Sequence, residues 1–218
     1  MQAQLSLIFL IAILVSSCTP SITKIITEQN PGEAIIQSAD GSHSEAMSVK
    51  DAFTKLKSNE KMYIASGRVE LFEPLEIENL ENIQIIGINT HLVAKIDMPV
   101  ITFRDVNSVS LENLLVVHEI GEWCAQNCVE FYRASDIDIN NCKFDGSGYF
   151  GLALTNVTTA DIKNSAFYNC EYGLATWNCE DISVKDSEFA KNRAQDVMEN
   201  GEGQIINNYK SDNTFDNK

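Results

Sequence analysis

The chain has 218 residues, 44% of them hydrophobic, which suits one domain with a real core and is too short for two large ones. Its formal net charge is -15, and no charged residue precedes Lys24. An acidic surface of this kind repels nucleic acid and anionic head groups, so no nucleic-acid partner is expected, and a polyanionic polysaccharide is disfavoured as a ligand.

The first element in chain order is Leu5 to Val15, an apolar run of signal-peptide length, too short to span a bilayer as a stable helix. It runs into Val15-Ser16-Ser17-Cys18, which resembles the bacterial lipobox: an aliphatic residue, two small ones, and the cysteine that is acylated after cleavage. The resemblance implies a signal peptide over residues 1–17, lipid attachment at Cys18, and a place in the bacterial cell envelope. There the chain is held to a membrane by its N-terminal lipid, on the outer-membrane or periplasmic side. The competing reading is an ordinary signal peptide with an incidental cysteine, since the first residues carry no Lys or Arg. Residues 18–43, polar and small with Pro20 and Pro31, read as a tether.

From Ser44 to Asn59 the residues Ala46, Met47, Val49, Ala52, Phe53 and Leu56 share one helical face, with Ser48 placed as an N-cap. This predicts an amphipathic helix covering the open end of whatever follows. Met62-Tyr63-Ile64 and Leu75-Glu76-Ile77 then start a series of short strands.

Internal repetition decides the architecture. Val109-Ser110-Leu111-Glu112-Asn113, Ile137-Asp138-Ile139-Asn140-Asn141, Ala160-Asp161-Ile162-Lys163-Asn164 and Ile182-Ser183-Val184-Lys185-Asp186 all read apolar-x-apolar-x-Asn/Asp. A weaker copy follows at Gln204-Ile205-Ile206-Asn207-Asn208, and the central anchors 111, 139, 162, 184 and 206 are separated by 28, 23, 22 and 22 residues. A second apolar position lies beyond each Asn/Asp, at Val116, Phe144, Phe167 and Phe189, and another strand precedes each repeat. Three short strands per turn of about 22 residues is the geometry of a parallel β-helix, in which alternate side chains enter a narrow interior. Stacking like residues over like predicts an internal column of Phe144, Phe167 and Phe189. It also predicts a polar ladder of Asn113, Asn141, Asn164, Asp186 and Asn208 at a tight turn, because Asn tolerates left-handed backbone. A helical solenoid would need longer segments without Asn and Gly punctuation.

These features together resemble the pectin-lyase-type right-handed β-helix superfamily: a charged helix, Ile64-Ala65-Ser66-Gly67, I-x-I-x-N coils and Gly-Leu strands such as Gly151-Leu152 and Gly173-Leu174. The resemblance covers roughly residues 45–215 and implies an all-β right-handed solenoid over residues 44–218 with a helical N-terminal cap. Members include polysaccharide lyases, glycoside hydrolases and adhesins, so the fold alone does not choose an activity. The Asp-Asp and Gly-His-Gly markers of the polygalacturonase type do not occur in this chain.

Cys18 aside, the cysteines are Cys124, Cys128, Cys142, Cys170 and Cys179, an odd number. Cys124 and Cys128 are close enough to bridge a loop in an oxidising compartment, and the others suit buried apolar positions. No metal or cofactor is expected, since a zinc site needs further ligands at a matching spacing and His118 is the one His nearby.

Alternation in the strand before each repeat places Ile101/Phe103, Val129/Phe131, Leu152/Leu154 and Leu174/Thr176 inward. Outward go Thr102/Arg104, Glu130/Tyr132, Ala153/Thr155 and Ala175/Trp177, so Arg104, Tyr132, Thr155 and Trp177 form a row suited to stacking on sugar rings. Equally, Tyr132 and Trp177 could pack against loops. The 28-residue coil carries an insertion, His118-Glu119-Ile120-Gly121-Glu122-Trp123, expected to overhang this row, with His118 beside Glu119 or Glu122 as an acid/base pair and Trp123 as a cleft wall. Two function classes follow, an envelope lipoprotein whose solenoid face binds glycan or another envelope component, and a small lyase or hydrolase using His118, Glu122, Glu130 and Arg104; a structural or accessory domain with no small ligand is a third option. The sequence specifies no oligomeric state.

Overall fold

The computed structural model describes residues 21–200 and the backbone of 205–211. The signal-peptide and Cys18 expectations lie outside the described residues. The chain winds into about six turns of a β-solenoid whose coils pair in parallel along three faces. On the first face Ile101 pairs with Val129, Val129 with Leu152, and Leu152 with Leu174, the register that the alternation predicts. On the second, Leu111, Ile139, Ile162 and Val184 stack in the same way.

Left-handed corners turn the chain from face to face. Asp105, Arg133, Asn156 and Asn178 have φ of 50–54° between the first and second faces, and Asn113, Asn141, Asn164 and Asp186 have φ of 47–57° between the second and third. Apart from Arg133, which is tied to Asp105 of the preceding coil, these are Asn and Asp, whose short polar side chains bear this backbone at low cost. Asn141 Nδ2 donates to Asn113 Oδ1 at 2.7 Å, and Asn178 Nδ2 to Asn156 Oδ1 at 2.7 Å. The ladder is not uniform, because Asn164 Nδ2 reaches Asn140 Oδ1 instead.

Inside, Phe144, Phe167 and Phe189 stack with centroids 5.0 and 4.5 Å apart, as expected. A second stack, Phe103 on Phe131 at 4.4 Å, fills the corner below. Burying each ring contributes roughly 1.5–3 kcal/mol, with about 0.5–1.5 kcal/mol more from ring contact.

Three expectations are corrected. The capping helix is shorter, Val49–Lys55, although Ser48 does cap it by accepting from Asp51 N at 3.1 Å. Upstream, Met47–Ser48 is a strand paired with Glu33 and Ala34, which removes 44–48 from the helix. The segment read as a tether is partly folded: Ile22–Thr27 is helical, and Glu33–Gln37 pairs antiparallel with Lys61–Ile64, covering the first coil's edge. Ala34-Ile35-Ile36 carries enough apolar surface for this, and Ile35 packs with Ile26 and Ala65 in a small core of its own. In the last coil Val184 pairs with Asn207 rather than Ile206, a slip of one residue.

Candidate functional site

The outward row of the first face forms as the alternation dictates: Arg104 pairs with Tyr132, Tyr132 with Thr155, and Thr155 with Trp177. Beside it run Thr102, Glu130, Ala153 and Ala175. Ala153 and Ala175 lack bulk, and the ring of Phe150 lies over them with only 2% of its surface exposed. Phe150 meets Trp177 edge-on at 4.9 Å. The result is a cleft of about 180 Å³, floored by Ala153 and Thr155 and walled by Arg104, Asn127, Glu130, Tyr132, Phe150 and Trp177.

Glu130 is the fixed point of this cleft. Its Oε1 accepts from Thr102 Oγ1 at 3.0 Å and its Oε2 from Asn127 Nδ2 at 2.9 Å. Arg104 Nη2 lies 3.5 Å from Oε1, while Arg104 Nε is 3.8 Å from Glu78 on the preceding coil. The carboxylate therefore orients the Asn127 amide, since a flipped amide would set oxygen against oxygen. Asn127 Oδ1 is left buried without a partner. Next to Tyr132, Arg133 grips Asp105 through two bonds of 2.6 Å and sits 4.4 Å from the Tyr132 ring centroid. That pairing holds the Asp105 carboxyl below its usual range and raises the guanidinium.

The insertion does not overhang the row as expected. His118 continues the inward alternation of Leu114 and Val116 on the third face and is 2% exposed. Its Nε2 donates to the Asn127 carbonyl at 3.1 Å, Nδ1 has no partner, and burial pushes the imidazole pKa down. Glu119 instead pairs with Lys95 and with Arg68, the latter at 2.7 Å. Glu122 and Trp123 lie exposed on a 3-10 turn, Gly121–Trp123. The structure thus brings Arg104, Glu130, Tyr132 and Trp177 together and leaves His118, Glu122 and Trp123 outside the cleft lining.

Residues 104–217, just over half of the chain, match the family described as a right handed beta helix region. The chain belongs to that family. Two solved structures share the fold. One is a putative glycosyl hydrolase from Parabacteroides merdae, at 10% identity and a TM-score of 0.53, over 67% of this chain and 83% of that chain. The other is ORF18 of Geobacillus virus E2, at 15% identity and a TM-score of 0.56, over 66% of this chain but only 33% of the viral chain. No curated protein matches the sequence.

The expected Cys124–Cys128 bridge is absent from this β-helix, where Cys124, Cys128, Cys142, Cys170 and Cys179 are all free and buried. Cys124 closes the turn by donating to the Gln126 carbonyl at 3.0 Å, whereas Cys128 faces the Asp145 carbonyl and Cys170 inside the coil. Desolvation pushes the Cys124 and Cys179 thiols up, Cys128 well up and Cys142 to about 12. Sequence reasoning missed two residues of the cleft. Phe150 was hidden by its place before an inward strand position, though the facing alanines at 153 and 175 were a signal that something covers them. Asn127 had no signal, because its role depends on how the insertion folds.

Proposed function

We propose that this β-helix is a glycan-binding protein of the bacterial cell envelope, held on a membrane by lipid at Cys18, with the first-face cleft as its binding site. The observation that carries the reading is a pre-set acceptor between aromatic walls. Glu130 is fixed by Thr102, Asn127 and Arg104, with Tyr132 and Trp177 half-exposed across the floor. Aromatic rings stack on the apolar faces of sugars while a fixed carboxylate accepts from their hydroxyls, and a side chain already held costs little entropy to use. Lipidation at Cys18 would keep such a site close to envelope polysaccharide.

A second reading, a small polysaccharide lyase or glycoside hydrolase, draws on the description of the Parabacteroides protein. Hydrolysis needs two carboxyl groups flanking the bond, roughly 5–9.5 Å apart. Among the described residues, Glu130 is the one carboxylate lining the cleft, so binding is the better-supported activity.

A glycan array probed with the chain from residue 19, beside Tyr132→Ala and Trp177→Ala versions, tests the proposal. Selective binding that falls at least about tenfold in either variant is expected, the scale of losing one aromatic contact. An array with no binding at all would sink it. Separately, Cys18→Ala should move the protein from the membrane to the soluble fraction, and retention on membranes would remove the anchor.

A further inference from the structure

We infer that the glycan taken by this face is uncharged, its rings running along Tyr132, Trp177 and Tyr149; this rests on the glycan-binding reading and adds the ligand's charge class. A uronan carries a carboxylate on every sugar, so a face that binds it needs several cations free to pair. The outward positions of the first face hold one cation, Arg104, against Glu76, Glu78 and Glu130. Arg104 is already shared between Glu78 and Glu130, and Arg133 is committed to Asp105. An amino sugar is no better served, because the charge of Glu130 is already paired with Arg104; what the carboxylate keeps beyond Thr102 and Asn127 is a lone pair on Oε2, which suits a hydroxyl.

What the face offers in place of charge is ring surface. Phe150, itself out of reach, touches Tyr149 at 3.7 Å, Trp177 at 4.9 Å and Tyr172 at 5.3 Å between centroids. It acts as a prop that stiffens the outer rings. Tyr149 is 44% exposed, and Tyr172 and Trp177 are half-buried. The track continues toward the insertion: Gly148, immediately before Tyr149, is overlaid so closely by the carbonyls of Cys124 and Glu122 that a Cβ there would lie 1.8 Å from the Cys124 oxygen. That contact brings the turn bearing Trp123, 82% exposed, to the end of the track. Stacking of this kind is indifferent to salt, whereas charge recognition weakens as the screening length shortens.

Titration calorimetry on the full chain decides the matter. One panel holds neutral glucan, mannan, galactan and xylan oligosaccharides; the other holds galacturonate, alginate and chitosan oligosaccharides, both at about 0.05 and 0.5 M NaCl. The expected result is a neutral ligand preferred at least about tenfold, with affinity changing less than about twofold between salts. Tyr149→Ala should weaken that ligand severalfold and Tyr149→Phe should not, with circular dichroism confirming that both variants fold. Preference for a uronan or for chitosan, with strong salt dependence, would overturn the charge assignment and leave glycan binding standing. Equal binding by Tyr149→Ala would remove Tyr149 from the track. Binding to neither panel would overturn both this inference and the reading beneath it.

Discussion

The first and second faces are built by the same coils with the same alternation, yet their outer surfaces differ in kind. On the second face the outward positions Ser110, Asp138, Asp161 and Ser183 stack in a polar row beside Lys163 and Lys185. Lys163 bridges Asp161 at 2.8 Å and Asp138 at 3.5 Å, and all three groups stay partly exposed. Such pairs contribute roughly 0–1 kcal/mol and keep the surface wet. On the first face the equivalent positions shrink to Ala153 and Ala175, and an aromatic ring from the corner lies over them. The coil therefore dictates which residues point out, while residue size at those points decides between a solvated wall and a cleft.

One interior supports both faces, and removing part of it should damage them together. Phe167→Ala takes the middle ring out of the column and should cost about 3–5 kcal/mol, read as a lower urea midpoint. A cost under about 1 kcal/mol would mean that the coils do not share the column. The next effect separates the faces. Ala153→Leu forces bulk under Phe150 and should cost about 1–3 kcal/mol while closing the cleft. Asp138→Leu at an outward position of the second face, one coil earlier, should stay within about 0.5 kcal/mol, and equal costs would erase the distinction.

How much of this was legible follows from which forces are local. Alternation and the 22-residue period are properties of short segments, so the register of Arg104, Tyr132, Thr155 and Trp177 and the column at Phe144, Phe167 and Phe189 could be read directly. The fold of the insertion could not, because it depends on long-range closure: Ala125 N bonding Asp97 and the Cys124 carbonyl resting on Gly148. His118 belongs to both kinds. Its parity with Leu114 and Val116 pointed inward, but its neighbours Glu119 and Glu122 suggested a surface acid/base pair, and the alternation of the strand prevailed. The folded N-terminal strand Glu33–Gln37 was obscured by the prolines and polar residues around it.

The smallest effect sharpens the comparison through pH, since the insertion joins the cleft to a buried imidazole and the second face has no such link. His118 donates to the Asn127 carbonyl while the Asn127 side chain holds Glu130. Burial depresses the folded pKa of His118 below its ordinary 6.5, against a weaker upward pull from that carbonyl and from Asp97. Above pH 6.5 the ring is neutral folded and unfolded alike, and its contribution to stability is fully present. As pH falls through 6.5 the unfolded chain takes up a proton that the folded chain resists, so stability declines until the depressed folded pKa is reached. The denaturation midpoint should accordingly drop between about pH 7.5 and 5.5, and His118→Gln should remove part of that drop. If the two proteins lose stability in parallel, His118 titrates as a solvated group, and the coupling between the insertion and the Glu130 cleft goes with it.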